Sequence, residues 1–229
     1  MEYPHNRPYT ADDLVRIITL LRDPVNGCPW DKVQTHTSIR MNFLEEAYEA
    51  VDALDLDDPV LMCEELGDVL MQVAFHTCME QETGRFTWEQ VCDGVCQKLI
   101  ERHPNIFGTQ PGYEGITDWD ALKNKEKGRR TLADDLESVP RAMPALMRAA
   151  KLQKRAARHG AALQGADAAA LAEAAENLQT AQPASAQAEQ AVGELLFAAA
   201  NLARQAGVDP EQALQKANEA FCTAAGPVA

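Results

Sequence analysis

The chain lacks several features, and each absence removes a class of protein. Basic residues are not in excess: 21 Lys and Arg stand against 35 Asp and Glu, which gives a net charge of −14. A protein that binds duplex nucleic acid needs a basic surface, so that class is excluded. No stretch is long and apolar enough to span a membrane, and the first residues show no signal-peptide pattern. No stretch alternates polar and apolar residues as strands do, so the predicted fold class is all-α.

Cysteine is present, but its spacing does not suit a metal site. The six cysteines show no paired metal-ligand spacing, and Cys92 and Cys96 lie one helical turn apart, which favours packing. We therefore expect free thiols and a cytoplasmic location. The acidic chain can still bind an anionic small molecule if a metal ion and a few local cations offset its negative field.

Two acidic boxes with the same spacing dominate the first half. Glu45, Glu46 and Glu49 form the first box, and Glu65 and Asp68 form the second, with a further acid directly before Glu65. At about 100° per residue, acids three positions apart lie about 60° apart on one helix face. Glu46 and Glu49 form one such pair, and Glu65 and Asp68 form the other. Each box also lies beside an apolar seam. The seams consist of Phe43, Leu44, Ala47, Val51 and Leu54, and of Met62, Leu66, Val69, Leu70 and Val73.

If the two seams pack antiparallel, the two acidic boxes converge. Converging carboxylates repel one another and therefore need a cation. Hard oxygen ligands without His or Cys suit Mg²⁺, with Mn²⁺ as a substitute. The alternative is that both boxes are ordinary solvated acidic helix faces, which are common on protein surfaces.

Helix boundaries can also be predicted from capping residues. Thr10 and Thr87 precede amphipathic stretches, so each is expected to be an N-cap. Thr37 or Ser38 is expected to open the helix that carries the first acidic box, and Pro59 suits the first turn of the next helix.

The second half of the chain is a weak copy of the first. The segment 171–176 resembles 44–49, and 191–196 resembles 65–70 in its apolar and glycine positions. Ala191 stands where the first half has Glu65, so the copy has lost an acid from its second box. We therefore predict two tandem helical domains: residues 1–130 with the complete acidic set, a linker at 131–139, and a degenerate, shortened repeat at 140–229.

The chain resembles MazG-type nucleoside triphosphate pyrophosphohydrolases. The resemblance is carried by Gly27-Cys28-Pro29-Trp30-Asp31, by the two acidic boxes and by Arg102-His103-Pro104. It implies an all-α fold of four-helix-bundle type assembled by homodimerisation. It also implies Mg²⁺-dependent hydrolysis of a nucleoside triphosphate to a monophosphate and pyrophosphate, as in house-cleaning or control of the nucleotide pool.

The resemblance also implies roles for individual residues. The metal ligands of the family match Glu46, Glu49, Glu65 and Asp68, and Glu45 matches an acid that orients or deprotonates water. Cations suited to the phosphates, and aromatic residues suited to the base or ribose, are the remaining candidates. They are Lys98, Arg102 and Lys123, and Trp30 and Trp119; the alternatives for these five are ordinary surface or packing roles.

Of two other functions, the sequence argues against one and leaves the other open. A di-iron carboxylate protein needs Glu-x-x-His pairs, and neither His76 nor His103 has a Glu three residues before it. A non-catalytic helical protein that binds nucleotides or a partner stays open, because the second repeat has lost a ligand.

Overall fold

The computed structural model describes residues 3–5, 7–104, 106–108 and 119–226, without the side chains of residues 119–121. Its described residues form helices joined by turns and loops, with no strand among them, so the predicted all-α class is confirmed. No helix in this described part is long and apolar enough to cross a membrane. By its internal contacts, the chain divides into two units, Met1–Ile116 and Thr117–Ala229.

The first unit contains four α-helices and one short 3₁₀ turn at Asp31–Val33 in its described part. The helices are α1 (Ala11–Leu21), α2 (His36–Asp55), α3 (Pro59–Glu82) and α4 (Trp88–Arg102). Helix α3 is the central element, because α1, α2 and α4 each pack against it.

Capping residues explain most of these boundaries. Thr10 and Thr87 cap α1 and α4 as predicted, each within a reciprocal capping box. Asp58 caps α3, with Pro59 in its first turn. The prediction for α2 was wrong: Thr35 is its N-cap and bonds the backbone N–H of Ser38. The serine lies at the third helical position, where its own hydroxyl completes the capping box.

The core of the first unit lies where α1, α3 and α4 meet. Its largest buried members are Ile18, Phe75, Met79 and Trp88, and Ile39 of α2 joins them. The buried residues of α3 are concentrated in its second half, from Gln72 onward. The first half of α3, which carries the second acidic box, therefore lies outside this core.

The second unit repeats the pairing of helices seen in the first. It contains α5 (Trp119–Glu126), α6 (Leu132–Glu137), α7 (Ala145–Arg158), α8 (Ala168–Thr180), α9 (Ala186–Gln205) and α10 (Pro210–Ala225). Helices α7, α8 and α10 each pack against α9, as α1, α2 and α4 pack against α3.

The core of the second unit differs in chemistry from that of the first. Small residues such as Ala174, Ala191 and Ala198 are buried. The largest fully buried side chains include Gln153, Asn201 and Asp135, which are polar. The unit therefore relies more on buried hydrogen bonds than on large apolar side chains.

The segment 131–139, predicted as a linker, is structured. It contains α6, which packs against α7, and Val139 is almost fully buried. Asp135 is fully buried and pairs with Arg155 of α7 at 3.0 Å. The segment belongs to the second unit by its contacts, because this ion pair and Val139 anchor it there.

Candidate metal centre

Helices α2 and α3 form an antiparallel hairpin that brings the two acidic boxes together. Near the start of α2, His36 Nδ1 lies 2.7 Å from His76 Nδ1 on α3. Further along α2, Glu46 accepts a hydrogen bond from Gln72, which lies before His76 on α3. As the residue number rises along α2, the residue number of its partner on α3 falls, so the two helices run in opposite directions.

Three carboxylates converge at this hairpin. One oxygen each from Glu46, Glu49 and Glu65 lies within 4.8 Å of the other two. In an octahedral Mg²⁺ site with bonds of about 2.1 Å, ligand oxygens lie about 3 to 4.2 Å apart. The donor set and spacing therefore fit a hard divalent cation, with small movements of exposed side chains.

Asp68 and Glu45 lie beside this cluster rather than in it. Asp68 is close enough that its negative charge raises the pKa of both Glu46 and Glu65. Glu45 is exposed next to Glu46 on α2. The structure thus brings together three of the four predicted ligands and places the fourth within electrostatic range.

The electrostatics show that the carboxylates are crowded. The pKa of Glu46 is raised, mainly by burial and then by the charges of Asp68 and Glu49, while the Gln72 hydrogen bond opposes the rise. The pKa of Glu65 is also raised, by desolvation first and then by Asp68 and other acids. A bound cation would relieve this repulsion.

Gln72 supports Glu46 and was not predicted from the sequence. Its Nε2 donates a hydrogen bond of 3.3 Å to Glu46 Oε1, and its side chain is buried. Its own Oε1 is buried without a hydrogen-bond partner among the described residues. The sequence carried a signal: Gln72 lies four residues after Asp68 and seven after Glu65, on one helix face.

A second group of polar residues lies between α2 and α3, away from the two acidic boxes. His36 Nε2 lies 2.5 Å from Glu80 Oε1, and Arg85 also pairs with Glu80. Burial and the neighbouring His36 lower the pKa of His76. Because His36 and His76 share a close contact between ring nitrogens, they cannot both be charged without repulsion.

Trp30 lies on the surface and not in the core. It is 56% exposed and makes an edge contact with Phe75, with ring centroids 6.5 Å apart. Buried Arg22 holds its turn by donating to the Asp31 carbonyl at 2.7 Å, and Gln34 donates to the Trp30 carbonyl. The sequence favours a ring packed on the core over an exposed stacking surface, and this prediction was wrong: the structure has an exposed ring on the turn.

The remaining substrate candidates are distributed over two units. Lys98 is exposed and Arg102 is half-buried, and both lie on α4 of the first unit. Lys123 is exposed on α5 of the second unit. Trp119 begins α5, but its side chain lies outside the described residues.

The second unit has a related groove but not the same acid set. A cavity of about 630 Å³ there is lined by Glu173 and Glu194, among others. Ala191, at the position that matches Glu65, is buried. Among the residues that the structure describes, no three acidic, His or Cys side chains converge in this unit.

Comparison with known proteins shows which family the chain belongs to. The family model of the MazG nucleotide pyrophosphohydrolase domain matches residues 34–107. The chain is 42% identical over 219 residues to a nucleoside triphosphate pyrophosphohydrolase of Escherichia coli, covering 92% of this chain and 83% of that protein. It is 39% identical over 212 residues to a nucleoside triphosphate pyrophosphohydrolase/pyrophosphatase of Thermotoga maritima, covering 92% and 82%.

Proposed function

The chain belongs to the MazG nucleotide pyrophosphohydrolase family and is a nucleoside triphosphate pyrophosphohydrolase, and we propose that its chemistry takes place at the carboxylate cluster of the first unit. The observation that carries this assignment is the convergence of Glu46, Glu49 and Glu65 within 4.8 Å. The products are a nucleoside monophosphate and pyrophosphate.

Four acids would hold the metal ion of this site. They are the three converging glutamates and Asp68, whose charge acts on two of them. The proposed ion is Mg²⁺, which when bound supplies positive charge that polarises the phosphate oxygens. The pKa of Glu46 and of Glu65 is raised by desolvation first and then by neighbouring acids, and the repulsion from those acids supports a bound cation at this position.

The side chains of the chain then position water and substrate. A water molecule attacks the α-phosphorus, the bond from that phosphorus to the pyrophosphate oxygen breaks, and Glu45 accepts the proton of the water. Exposure of Glu45 beside Glu46 supports this role, since a base must reach solvent to exchange its proton. Gln72 holds the Glu46 carboxylate in one orientation through its Nε2 hydrogen bond.

Substrate recognition is assigned to cations and aromatic rings outside the cluster. We propose that Lys98 and Arg102 contact the phosphates and that exposed Trp30 stacks on the base. Trp119 and Lys123 are proposed for the same roles. Ala substitution of Lys98 should raise KM, whereas Ala substitution of Trp30 should weaken binding of all bases by a similar factor.

A homodimer is part of the proposal. The apolar seams beside the acidic boxes are only partly covered within one chain: Val51, Leu54, Leu66 and Leu70 are 49%, 52%, 51% and 40% exposed. A second copy would remove this apolar surface from water. Light scattering coupled to gel filtration measures the oligomeric state, and Leu66→Glu should shift that state toward the monomer.

The location proposed for the enzyme is the cytoplasm. All six cysteines are free thiols, which suits a reducing compartment.

A pyrophosphate-release assay tests the central assignment. The wild-type protein, given a mixed pool of nucleoside triphosphates and Mg²⁺, should release pyrophosphate and monophosphate in equal amounts. Glu49→Gln should lose this activity. A protein that binds the nucleotides but releases no pyrophosphate would instead be the non-catalytic binder that the sequence left open.

A further inference from the structure

The second unit contains a basic cavity that the proposed chemistry does not use. It has a volume of about 470 Å³ and lies between α7, the end of α9 and the start of α10. Lys151, Lys154 and Arg204 line it. Its apolar lining includes Met147 and Val208.

Three cations around one cavity are unusual in a chain with a net charge of −14. One carboxylate, Asp209, lines the cavity with the three cations, and Glu211 lies near it; backbone N–H groups bond both. Asp209 accepts from the N–H groups of Glu211 and Gln212 as the cap of α10. Glu211 accepts from the N–H of Met147 at 3.3 Å. The cavity therefore favours an anion over a cation.

Arg204 is held in place before any ligand arrives. Its Nε and Nη2 donate to Asn201 Oδ1 at 3.0 and 2.8 Å. Asn201 is 2% exposed and is itself anchored by a 2.6 Å hydrogen bond to the Ala166 carbonyl. Two bonds on one edge fix the plane of the guanidinium, and its Nη1 N–H groups make no hydrogen bond within the described residues. A guanidinium with its orientation fixed loses little entropy when it binds a phosphate.

The first unit has an aromatic residue at the start of its last described helix. There, Trp88 opens α4 and packs with Ile18 of α1 and Phe75 of α3 in the core. In the second unit, the corresponding helices are α7, α9 and α10, and α10 opens with Pro210 and has no aromatic residue in its first turn. The second unit thus has no aromatic residue at the start of α10, beside the basic cavity.

We propose that this cavity binds a nucleoside monophosphate, with the phosphate on Lys151, Lys154 and Arg204 and the nucleoside against Met147 and Val208. The volume lies within the range of about 300 to 1,000 Å³ for small-molecule sites. Lysine and arginine supply charge-assisted hydrogen bonds to phosphate oxygens. This site lies wholly in the second unit and does not depend on the carboxylate cluster of the first.

Calorimetric titration of the full chain in EDTA tests the proposal, because chelation removes metal-dependent nucleotide binding at the acidic cluster. AMP, inorganic phosphate and pyrophosphate are titrated separately. AMP should bind with 1:1 stoichiometry per chain, more tightly than phosphate, and its affinity should fall as salt is raised. Pyrophosphate binding tighter than AMP would overturn the monophosphate assignment.

Substitutions locate the site. The double variant Lys151→Ala with Lys154→Ala should lose AMP affinity by on the order of tenfold or more. The control is Lys216→Ala, which removes an exposed lysine of α10 that does not line the cavity, and it should bind AMP as the wild type does. Glu49→Gln should also bind AMP normally, even though it is expected to be inactive.

Two results would refute the inference. One is wild-type chain that binds none of the three anions in EDTA. The other is AMP binding that survives unchanged in the double lysine variant, which would place the nucleotide elsewhere. Circular dichroism of the double variant confirms that it is folded, and Lys154→Glu provides a second variant if it is not. Neither result bears on pyrophosphate release by the first unit, so the two proposals fail independently.

Discussion

Replacement of Gln72 by Leu separates the metal-site role of this residue from its contribution to folding. The two side chains are of similar size, so the change leaves no large cavity. It removes the Nε2 hydrogen bond to Glu46, and it also removes a buried Oε1 for which the described part of the chain offers no hydrogen-bond partner.

The expected magnitudes follow from these two contacts. A hydrogen bond to a charged group contributes about 1.5 to 3 kcal/mol, and a buried acceptor without a partner costs about 1 to 3 kcal/mol. The two effects oppose each other, so the free energy of unfolding without metal should change by no more than about 2 kcal/mol in either direction. Loss of a residue that orients a metal ligand typically lowers metal affinity by about 10- to 100-fold.

Three measurements check this prediction. Mn²⁺ binding, followed by the electron paramagnetic resonance signal of the free ion, gives affinity without turnover. The Mg²⁺ dependence of pyrophosphate release gives the same quantity during catalysis. Thermal unfolding in EDTA gives the stability of the metal-free protein.

Gln153→Leu is the matched control. Gln153 is also buried and donates through Nε2 to the Phe197 carbonyl at 2.7 Å, and its Oε1 has no hydrogen-bond partner among the residues that the structure describes. It lies in the second unit, so its replacement should alter stability but not metal affinity. The reasoning about Gln72 is refuted if Gln72→Leu binds Mn²⁺ as tightly as the wild type, or if both variants lose metal affinity equally.

Further predictions concern the acids and the half-buried His76. Glu49→Gln or Asp68→Asn should abolish Mg²⁺-dependent turnover while keeping or raising the metal-free melting temperature, because either change relieves repulsion; full activity in either variant would contradict the assignment. The double change Glu173→Gln with Glu176→Gln should leave kcat almost unchanged, and a large loss in an intact dimer would move the chemistry to the second unit. Because the pKa of His76 is lowered from its ordinary value of 6.5, the folded chain binds fewer protons there than the unfolded chain. Stability should therefore fall as the pH drops through about 6.5. His76→Gln should reduce that slope in denaturant titrations, and an unchanged slope would refute the interpretation.

Some predictions from sequence held because they depend only on neighbours along the chain. Thr10 and Thr87 cap helices because a cap bonds N–H groups two or three residues away. The prediction of the N-cap failed at α2, where Thr35 and Ser38 both satisfy the capping pattern. Their roles differ in the backbone N–H that each side chain bonds, and Thr35 bonds that of Ser38 as the N-cap. The periodicity of the acidic boxes placed Glu46 and Glu49 on one face for the same reason.

Packing between distant segments accounts for what the sequence did not reveal. Whether Trp30 is covered depends on which residues α1 and α3 bring to its turn; Phe75 meets its edge, and the ring stays largely exposed. The support that Gln72 gives to Glu46 depends on the register of two antiparallel helices. The basic cavity depends on how α7, the end of α9 and the start of α10 pack, because Lys151 and Lys154 lie on one helix and Arg204 lies on another.

The sequence by itself determined the helical class, the position of each acid on its helix and the loss of an acid at Ala191, because these are properties of composition and of a fixed rotation per residue. The tertiary structure decided that Glu46, Glu49 and Glu65 meet within 4.8 Å while Asp68 lies beside them. A helix period gives the angle of a side chain about its own axis. The distance between side chains on two helices depends on how the helices pack, and that depends on the whole core.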